Sequence, residues 1–262
     1  MARRRLDAEL VRRQLVASRS AAQAAIASGA VEVDGLVATK AASQVDEGVS
    51  IRFVAAPAKF VSRGGLKLEA ALQEFAIDVS GRCALDVGAS TGGFTDCLLQ
   101  RGAARVAAID VGYGQFDWRL RNDPRVTVHE RLNARHMDVA DLGGPFDVVV
   151  ADLSFISLRT VAPALDAAGG PGADWVLLVK PQFEAGRDQV GKGGIVRDVA
   201  VRAEALHNVI AVFEGLGLGA RRVIDSPVAG AKGNREFLAW LRREPASVTA
   251  ADFDHLAGLV DA

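Results

Sequence analysis

The sequence predicts a doubly wound α/β sheet preceded by a small α+β module, on three observations. Short apolar runs recur between residues 83 and 240 with helical patterns between them, the alternation of a mostly parallel sheet covered on both faces. One run, Cys83–Val87, passes into a turn of small residues (Gly88, Ala89, Ser90, Thr91, Gly92, Gly93) and then into a helical pattern from Phe94. The first sixty residues differ in kind, with two short helical patterns, short strand runs and an excess of positive charge.

Composition sets the bounds. The chain has 262 residues, half of them hydrophobic, enough for one medium domain with its own core plus a smaller one. The net charge is −1, unevenly spread: residues 1–67 hold 11 Lys and Arg against 6 Asp and Glu. A basic front end suggests a polyanionic partner. Cys83 and Cys97 flank the glycine turn in apolar positions, which fits buried free thiols rather than a disulfide framework. The opening MARRRLDAEL is charged with no apolar stretch behind it, and no run approaches the ~20 apolar residues of a membrane helix. A cytoplasmic protein with no membrane or DNA partner and no metal is expected.

Taken in order, Leu6, Leu10 and Val11 or Leu15 share one helical face, with Arg12 and Arg13 off it. A second helix starts at Ser18 or Ser20, carries Ala21, Ala24, Ala25 and Ile26, and stops at Gly29. Val31–Val33 and Val37 flank Asp34-Gly35, a strong hairpin signal. Val49, Ile51 and Phe53 alternate after a further turn. The order of RLDAELV, SRSAAQAAIASGAVEVDG and SQVDEGVSIRF resembles the S4 RNA-binding domain, over about 50 residues. That likeness implies phosphate contacts from Arg3, Arg4, Arg5, Arg12, Arg13, Arg19 and Lys40. The arginines read as flanking the helices rather than as members of ion-pairing i,i+4 registers. The module is expected to span residues 1–55, a linker around Pro57 residues 56–62, and the main domain residues 63–262.

In the main domain a helix runs through Phe75 with Leu66, Ala70, Leu72 and Phe75 inside, and Lys67 by position reads as a surface cation. Val106–Asp110, Val126–Val128, Phe146–Ala151 and Trp175–Val179 read as strands. Asp198 caps a long helix with Val201, Ala205, Val209, Val212 and Leu216 inside, and Gly217 ends it. Arg221–Ile224 and Glu236–Trp240 lack a helix between them, which predicts an antiparallel last strand. Residues 184–197 are polar and glycine-rich and read as a substrate-side flap.

The candidate site lies at the strand ends. Asp86 and Asp110 stand at successive strand ends, and Asp110, about 20 residues after the glycine turn, is where doubly wound nucleotide sites hold ribose hydroxyls. Ser90 replaces the second glycine of G-x-G-x-x-G and no P-loop occurs, which argues against NAD or ATP. The D-x-G-x-S-x-G arrangement resembles instead the first motif of S-adenosylmethionine-dependent methyltransferases. Lys67, Asp152, Lys180 and Glu236 fall at element ends on one side of the sheet. Two lysines and two acids suit activation of a sugar hydroxyl, a weak nucleophile that needs a base or firm orientation. Lysine acts as a base only when neutral, a form that burial and a second cation favour.

This set, with DVGASTGGF, ADLSF and VKPQF, resembles the FtsJ-type ribose 2′-O-methyltransferases. With the S4-like module in front, the whole chain resembles the TlyA (hemolysin A) family. The resemblance implies a Rossmann-like methyltransferase sheet and methylation of cytidine 2′-hydroxyls in ribosomal RNA within ribosomal subunits. It makes Lys67, Asp152, Lys180 and Glu236 the catalytic tetrad, and places S-adenosylmethionine on Asp86, Gly88, Ser90, Gly92, Asp110 and Asp152, with Asn133 near the adenine. The competing readings are a membrane-lytic protein, which the missing membrane span opposes, and a non-catalytic RNA-binding assembly factor, which has no use for the tetrad. A small-molecule methyltransferase is opposed by the basic front end.

Overall fold

A computed structural model describes residues 3–27, 29–54 and 58–258. The chain divides into two units, residues 1–59 and 60–262. Ala55, at the end of the predicted module, and Ala56 and Pro57 of the predicted linker lie outside the described residues.

The front unit begins with β1 (Arg4–Arg5), α1 (Leu6–Arg12) and α2 (Arg19–Ala27). Strands β2 (Val31–Val33), β3 (Leu36–Val37), β4 (Gln44–Val45) and β5 (Ile51–Phe53) follow. The Asp34-Gly35 turn forms as expected: both residues take positive φ, and β2 pairs antiparallel with β3 and with β5. Leu6, Leu10, Ala22, Ile26, Val31 and Val45 build the small core. The helix face is narrower than predicted, because α1 stops at Arg12 and leaves Leu15 exposed. Ser18 caps α2 through its hydroxyl, and Gly29 turns left-handed behind it.

The charge pattern of this unit corrects the sequence reading. Asp7 and Glu9 are buried on α1, not solvated. Glu9 accepts from Arg12 Nε at 2.8 Å and from Arg13 Nε at 2.8 Å, so these arginines do occupy ion-pairing i,i+3 and i,i+4 registers, contrary to the expectation from sequence. Asp7 accepts from Arg5, Arg19 and Gln23. Hydrogen bonds from Arg5 hold the Asp7 carboxyl far below the usual carboxylate range, and Arg12 draws that of Glu9 down to about 2. Arg13 also spends both Nη groups on the carbonyls of Val49 and Glu47.

The second unit opens with α3 (Gly64–Glu74) and then alternates β6 (Cys83–Val87), α4 (Gly93–Gln100), β7 (Arg105–Asp110), α5 (Trp118–Arg121), β8 (Val126–Glu130), β9 (Phe146–Ala151), α6 (Leu158–Ala168) and β10 (Gly169–Val179). It closes with α7 (Pro181–Glu184), α8 (Val199–Gly215), β11 (Gly219–Asp225), β12 (Phe237–Arg242) and α9 (Ala250–Ala257). One seven-stranded sheet runs in the order β11-β12-β10-β9-β6-β7-β8. Strands β10, β9, β6, β7 and β8 pair in parallel, and β12 is antiparallel to both its neighbours. Continuous apolar runs suit strands covered on both faces, and one core lies on each side of the sheet. Trp175 is wholly buried, with its indole N–H donated to the Leu165 carbonyl at 2.8 Å. Cys83 and Cys97 form no disulfide. Among the described residues, no helix is long and apolar enough to cross a membrane.

Four helices have no counterpart in the sequence analysis: the short α5 and α7, α6, which contains Pro163, and α9. The inner faces of two others are shifted. Gly65 seats α3 against Phe60, so Lys67, Leu68, Ala71 and Leu72 turn inward while Leu66 is exposed. On α8 the buried stripe is Ala203, Leu206, Ile210 and Phe213 together with Ala205 and Val209; Val201, Val212 and Leu216 sit at its margin. The glycine-rich segment 184–197, read as a substrate-side flap, is tied down at both ends. Glu184 belongs to α7 and is buried, and Asn234 holds the far end through Val196 N and the Gly194 carbonyl.

The buried acids of α1 make the front unit acid-labile. Their pKa values are depressed in the fold, so their stabilisation is complete above the unfolded value and is lost as pH falls through the folded one. Amides of residues 3–54 should therefore lose hydrogen-exchange protection between about pH 5 and pH 2. Glu9→Gln should remove part of that dependence and cost about 1–3 kcal/mol at neutral pH.

Candidate active site

The site starts from the turn after β6. Val87 is in register with Ile109 of β7 and with Ala151 of β9, so three strands end at one level. Gly88 (φ +84°) donates its N–H to the Ile109 carbonyl at 2.9 Å, and Asp152 N donates to the Val87 carbonyl at 3.0 Å. A Cβ on Gly88 would lie 2.6 Å from the Asp152 carbonyl oxygen, so only glycine fits there. Ser90 holds a left-handed φ of +50° without being glycine. Its N–H bonds the Asp110 carboxylate at 2.8 Å, and Gly112 N bonds the other oxygen at 2.6 Å. Asp110 thus braces the glycine turn as well as facing the crevice.

That crevice has a volume of about 550 Å³; Gly88, Ser90, Asp110, Asn133, Asp152 and Ile156 are among its walls. Asn133 also caps a short helical turn by accepting from Arg135 N at 3.0 Å. Two residues expected in the cofactor site stand behind its wall. Gly92 is the left-handed residue before α4, and a Cβ there would meet Leu120 and Phe116. Asp86 is fully buried and accepts from the Thr95 hydroxyl at 2.6 Å, while its other oxygen has no hydrogen-bond partner among the described residues. Burial pushes its carboxyl up to about 7, and the charges of Asp152 and Asp110 add to the effect. Asp86 therefore ties β6 to α4 beneath the turn.

A second, polar cavity of about 270 Å³ adjoins the first and shares Gly88, Ser90, Asp152 and Ser154 with it. Lys67 and Lys180 both line it. Lys67 is buried, correcting its reading as a surface cation, and its Nζ donates to Glu236 Oε2 at 2.5 Å. Lys180, also buried, has Nζ 2.5 Å from Asp152 Oδ1 and donates to Ser154 Oγ at 3.0 Å. Gln182 donates to the other Glu236 oxygen at 3.3 Å. Glu236 lies against Gly230, where any Cβ would strike its carboxylate. The structure thus brings together all four predicted tetrad residues. Sequence reasoning missed Ser154, Gln182 and Gly230. The first two sit within the quoted ADLSF and VKPQF segments, whereas Gly230 carries no local signal.

The arrangement can hold a nucleoside-sized ligand in the crevice and present a second reactant to two buried ammonium–carboxylate pairs. Phe155 projects at the junction, 92% exposed and left-handed (φ +66°), its ring 5.3 Å from that of Phe183. A doubly wound sheet with β12 reversed and a glycine turn at the strand ends defines the methyltransferase class of the fold. The N-methyltransferase NodS from Bradyrhizobium japonicum shares that fold at a TM-score of 0.50 and 18% identity, over 71% of this chain and 98% of that one.

Residues 60–243 match the FtsJ-like methyltransferase family, and residues 4–51 match the S4 domain. The 16S/23S rRNA (cytidine-2′-O)-methyltransferase TlyA of Mycobacterium tuberculosis is 53% identical over 246 residues, 93% of this chain and 92% of that protein. Hemolysin A of Brachyspira hyodysenteriae is 43% identical over 236 residues, covering 90% of this chain and 98% of its own. A solved structure from Streptococcus thermophilus that carries a hemolysin name superposes with a TM-score of 0.74 at 37% identity, over 99% of this chain and 96% of that one. The chain belongs to the TlyA family of FtsJ-like methyltransferases.

The close approach at Gly88 is testable against Gly81, also left-handed (φ +72°) but with open space around its absent Cβ. Gly81→Ala should cost only backbone strain, about 1–2 kcal/mol. Gly88→Ala should cost clearly more in denaturant unfolding of the second unit, because the Asp152 carbonyl must also move.

Proposed function

We propose that this protein transfers the methyl group of S-adenosylmethionine to a ribose 2′-hydroxyl of ribosomal RNA, that of a cytidine. The observation that carries the reading is the meeting of two buried lysine–carboxylate pairs in a polar cavity beside a nucleoside-sized crevice. The relative from Mycobacterium tuberculosis bears a name for this reaction, and the FtsJ-like match agrees in kind.

The residues present fit the cosubstrate. Gly88 and Ser90 line the crevice with a bare turn, Asp110 keeps lone pairs for ribose hydroxyls, and Ile109, Leu132 and Ile156 offer apolar surface for an adenine. When bound, S-adenosylmethionine supplies an electrophilic methyl group. The chain's own work is to orient the hydroxyl and manage its proton. Lys180 Nζ, held between Asp152 and Ser154, is placed to orient the 2′ oxygen and, when neutral, to take its proton. Lys67, fixed by Glu236, adds positive charge on the other wall of the cavity, where negative charge develops on the oxygen. The open ring face of Phe155 offers an unpaired base a stacking surface.

The front unit supplies RNA affinity in this reading. Of the seven cations expected to touch phosphate, only Lys40 has no carboxylate partner among the described residues. The arginines therefore meet RNA as preset forks rather than free charges.

The test is Lys180→Arg. It keeps the charge beside Asp152, so a purely structural ion pair would leave activity largely intact. Arginine does not deprotonate and presents a fork where a point charge is needed. The variant should fold, bind S-adenosylmethionine by calorimetry, and transfer methyl to ribosomal subunits about 100-fold more slowly or worse. Mapping 2′-O-methylcytidine in ribosomal RNA with and without the wild-type protein gives the site; no new modification would sink the reading.

A further inference from the structure

Glu184 is a buried acid that the proposed chemistry does not use. It is 4% exposed and ends α7, four residues after Lys180. Burial pushes its carboxyl above the usual range, against the pull of the hydrogen bonds it accepts. Those bonds all reach one place, the start of α6. Ser157 Oγ donates to Oε2 at 2.5 Å and Leu158 N donates to Oε1 at 2.8 Å. Ser157 is itself the cap of α6, accepting from Arg159 N at 3.1 Å, and the Arg159 guanidinium returns to the Glu184 carbonyl at 2.9 Å.

Between Ala151, the end of β9, and this clamp run Asp152, Leu153, Ser154, Phe155 and Ile156. Three side chains of that loop meet the segment from Lys180 to Glu184: Asp152 and Ser154 on Lys180, and Phe155 on Phe183. The loop also stores strain, because Phe155 is an exposed non-glycine residue in the left-handed region. Such a conformation persists only where its surroundings over-determine it. β9 fixes one end of the loop. At the other end the anchor is the start of α6, held by the Glu184 carboxylate, by Arg159 on the Glu184 carbonyl and by buried Leu158.

We propose that Glu184 is a positioning residue for methyl transfer. By clamping the α6 cap it holds the Asp152–Ile156 loop taut, which keeps Asp152 and Ser154 on Lys180 and Phe155 turned outward. The inference rests on the functional reading above but has a readout independent of it.

The experiment compares Glu184→Ala, Ser157→Ala and Glu184→Gln in the full-length protein. The two alanine variants should lower kcat by about 10- to 100-fold, the scale of a misplaced catalytic group, with a smaller rise in KM for both substrates because the same loop lines the crevice. Amides of residues 153–157 should exchange faster in both, while those of β9 and β10 keep their rates. Glu184→Gln, which still reaches Ser157 and Leu158, should recover most of the rate. Should Glu184→Ala fail to fold, Ser157→Ala tests the same link without disturbing a buried acid. Normal kcat with unchanged exchange in the alanine variants overturns the proposal, as does a loss of thermal stability alone. A wild-type protein that methylates no ribose sinks the functional reading, whereas the exchange comparison still decides whether Glu184 holds the loop.

Discussion

The backbone of Gly88 passes beneath the Asp152 carbonyl so closely that no methyl group fits between them. This contact sets the geometry of the site. It brings the turn after β6 and the first residue beyond β9 to one level. Leu177 pairs with Ala151, so β10 delivers Lys180 just past the same level, where its ammonium reaches Asp152. On the other side, Asp110 ends β7 and returns its carboxylate to Ser90 and Gly112. Crevice and polar cavity are two sides of one turn, which is why Gly88, Ser90 and Asp152 line both.

The buried charges follow from what such a site must do. Taking an ammonium out of water is costly, and a close carboxylate offsets the penalty only in good geometry with further hydrogen bonds. Lys180 has Asp152 and Ser154; Lys67 has Glu236, whose second oxygen Gln182 serves. A core under selection for stability alone would fill this volume with apolar side chains. Elsewhere the unit does so, on both faces of the sheet.

The strands were legible because a central parallel strand has to be apolar along its whole length. Cys83–Val87 and Phe146–Ala151 run between the residues that their composition marks. Asp110, Asp152 and Lys180 were legible for the same reason, as polar residues that break such a run at its end. Lys67 was not, because it lies on a helix, and the face a helix buries is chosen by its partner. The contact of Gly65 with Phe60 makes that choice, and no periodicity within residues 64–74 contains it. Helix α6 was obscured by Pro163, and Glu184 by the polar stretch that follows it. Its role depends on Ser157, 27 residues away in sequence.

The arginines of the front unit show why composition misleads about charge. The excess of basic residues is real, yet Asp7 and Glu9 lie inside the module and draw Arg5, Arg12, Arg13 and Arg19 around themselves. A guanidinium has five donors, and a carboxylate engages two of them at most. Arg12 gives Nε and Nη2 to Glu9, so its planar group is held in place with an edge left over. The buried acids thus trade free charge for fixed direction. Fixed forks read the spacing of a folded polyanion better than mobile ones, since less side-chain entropy is lost on contact. The net basic excess still pulls on a polyanion at long range, while short-range fit depends on where the donors point. A module built this way favours a folded polyanion whose charge spacing matches its forks over any available phosphate.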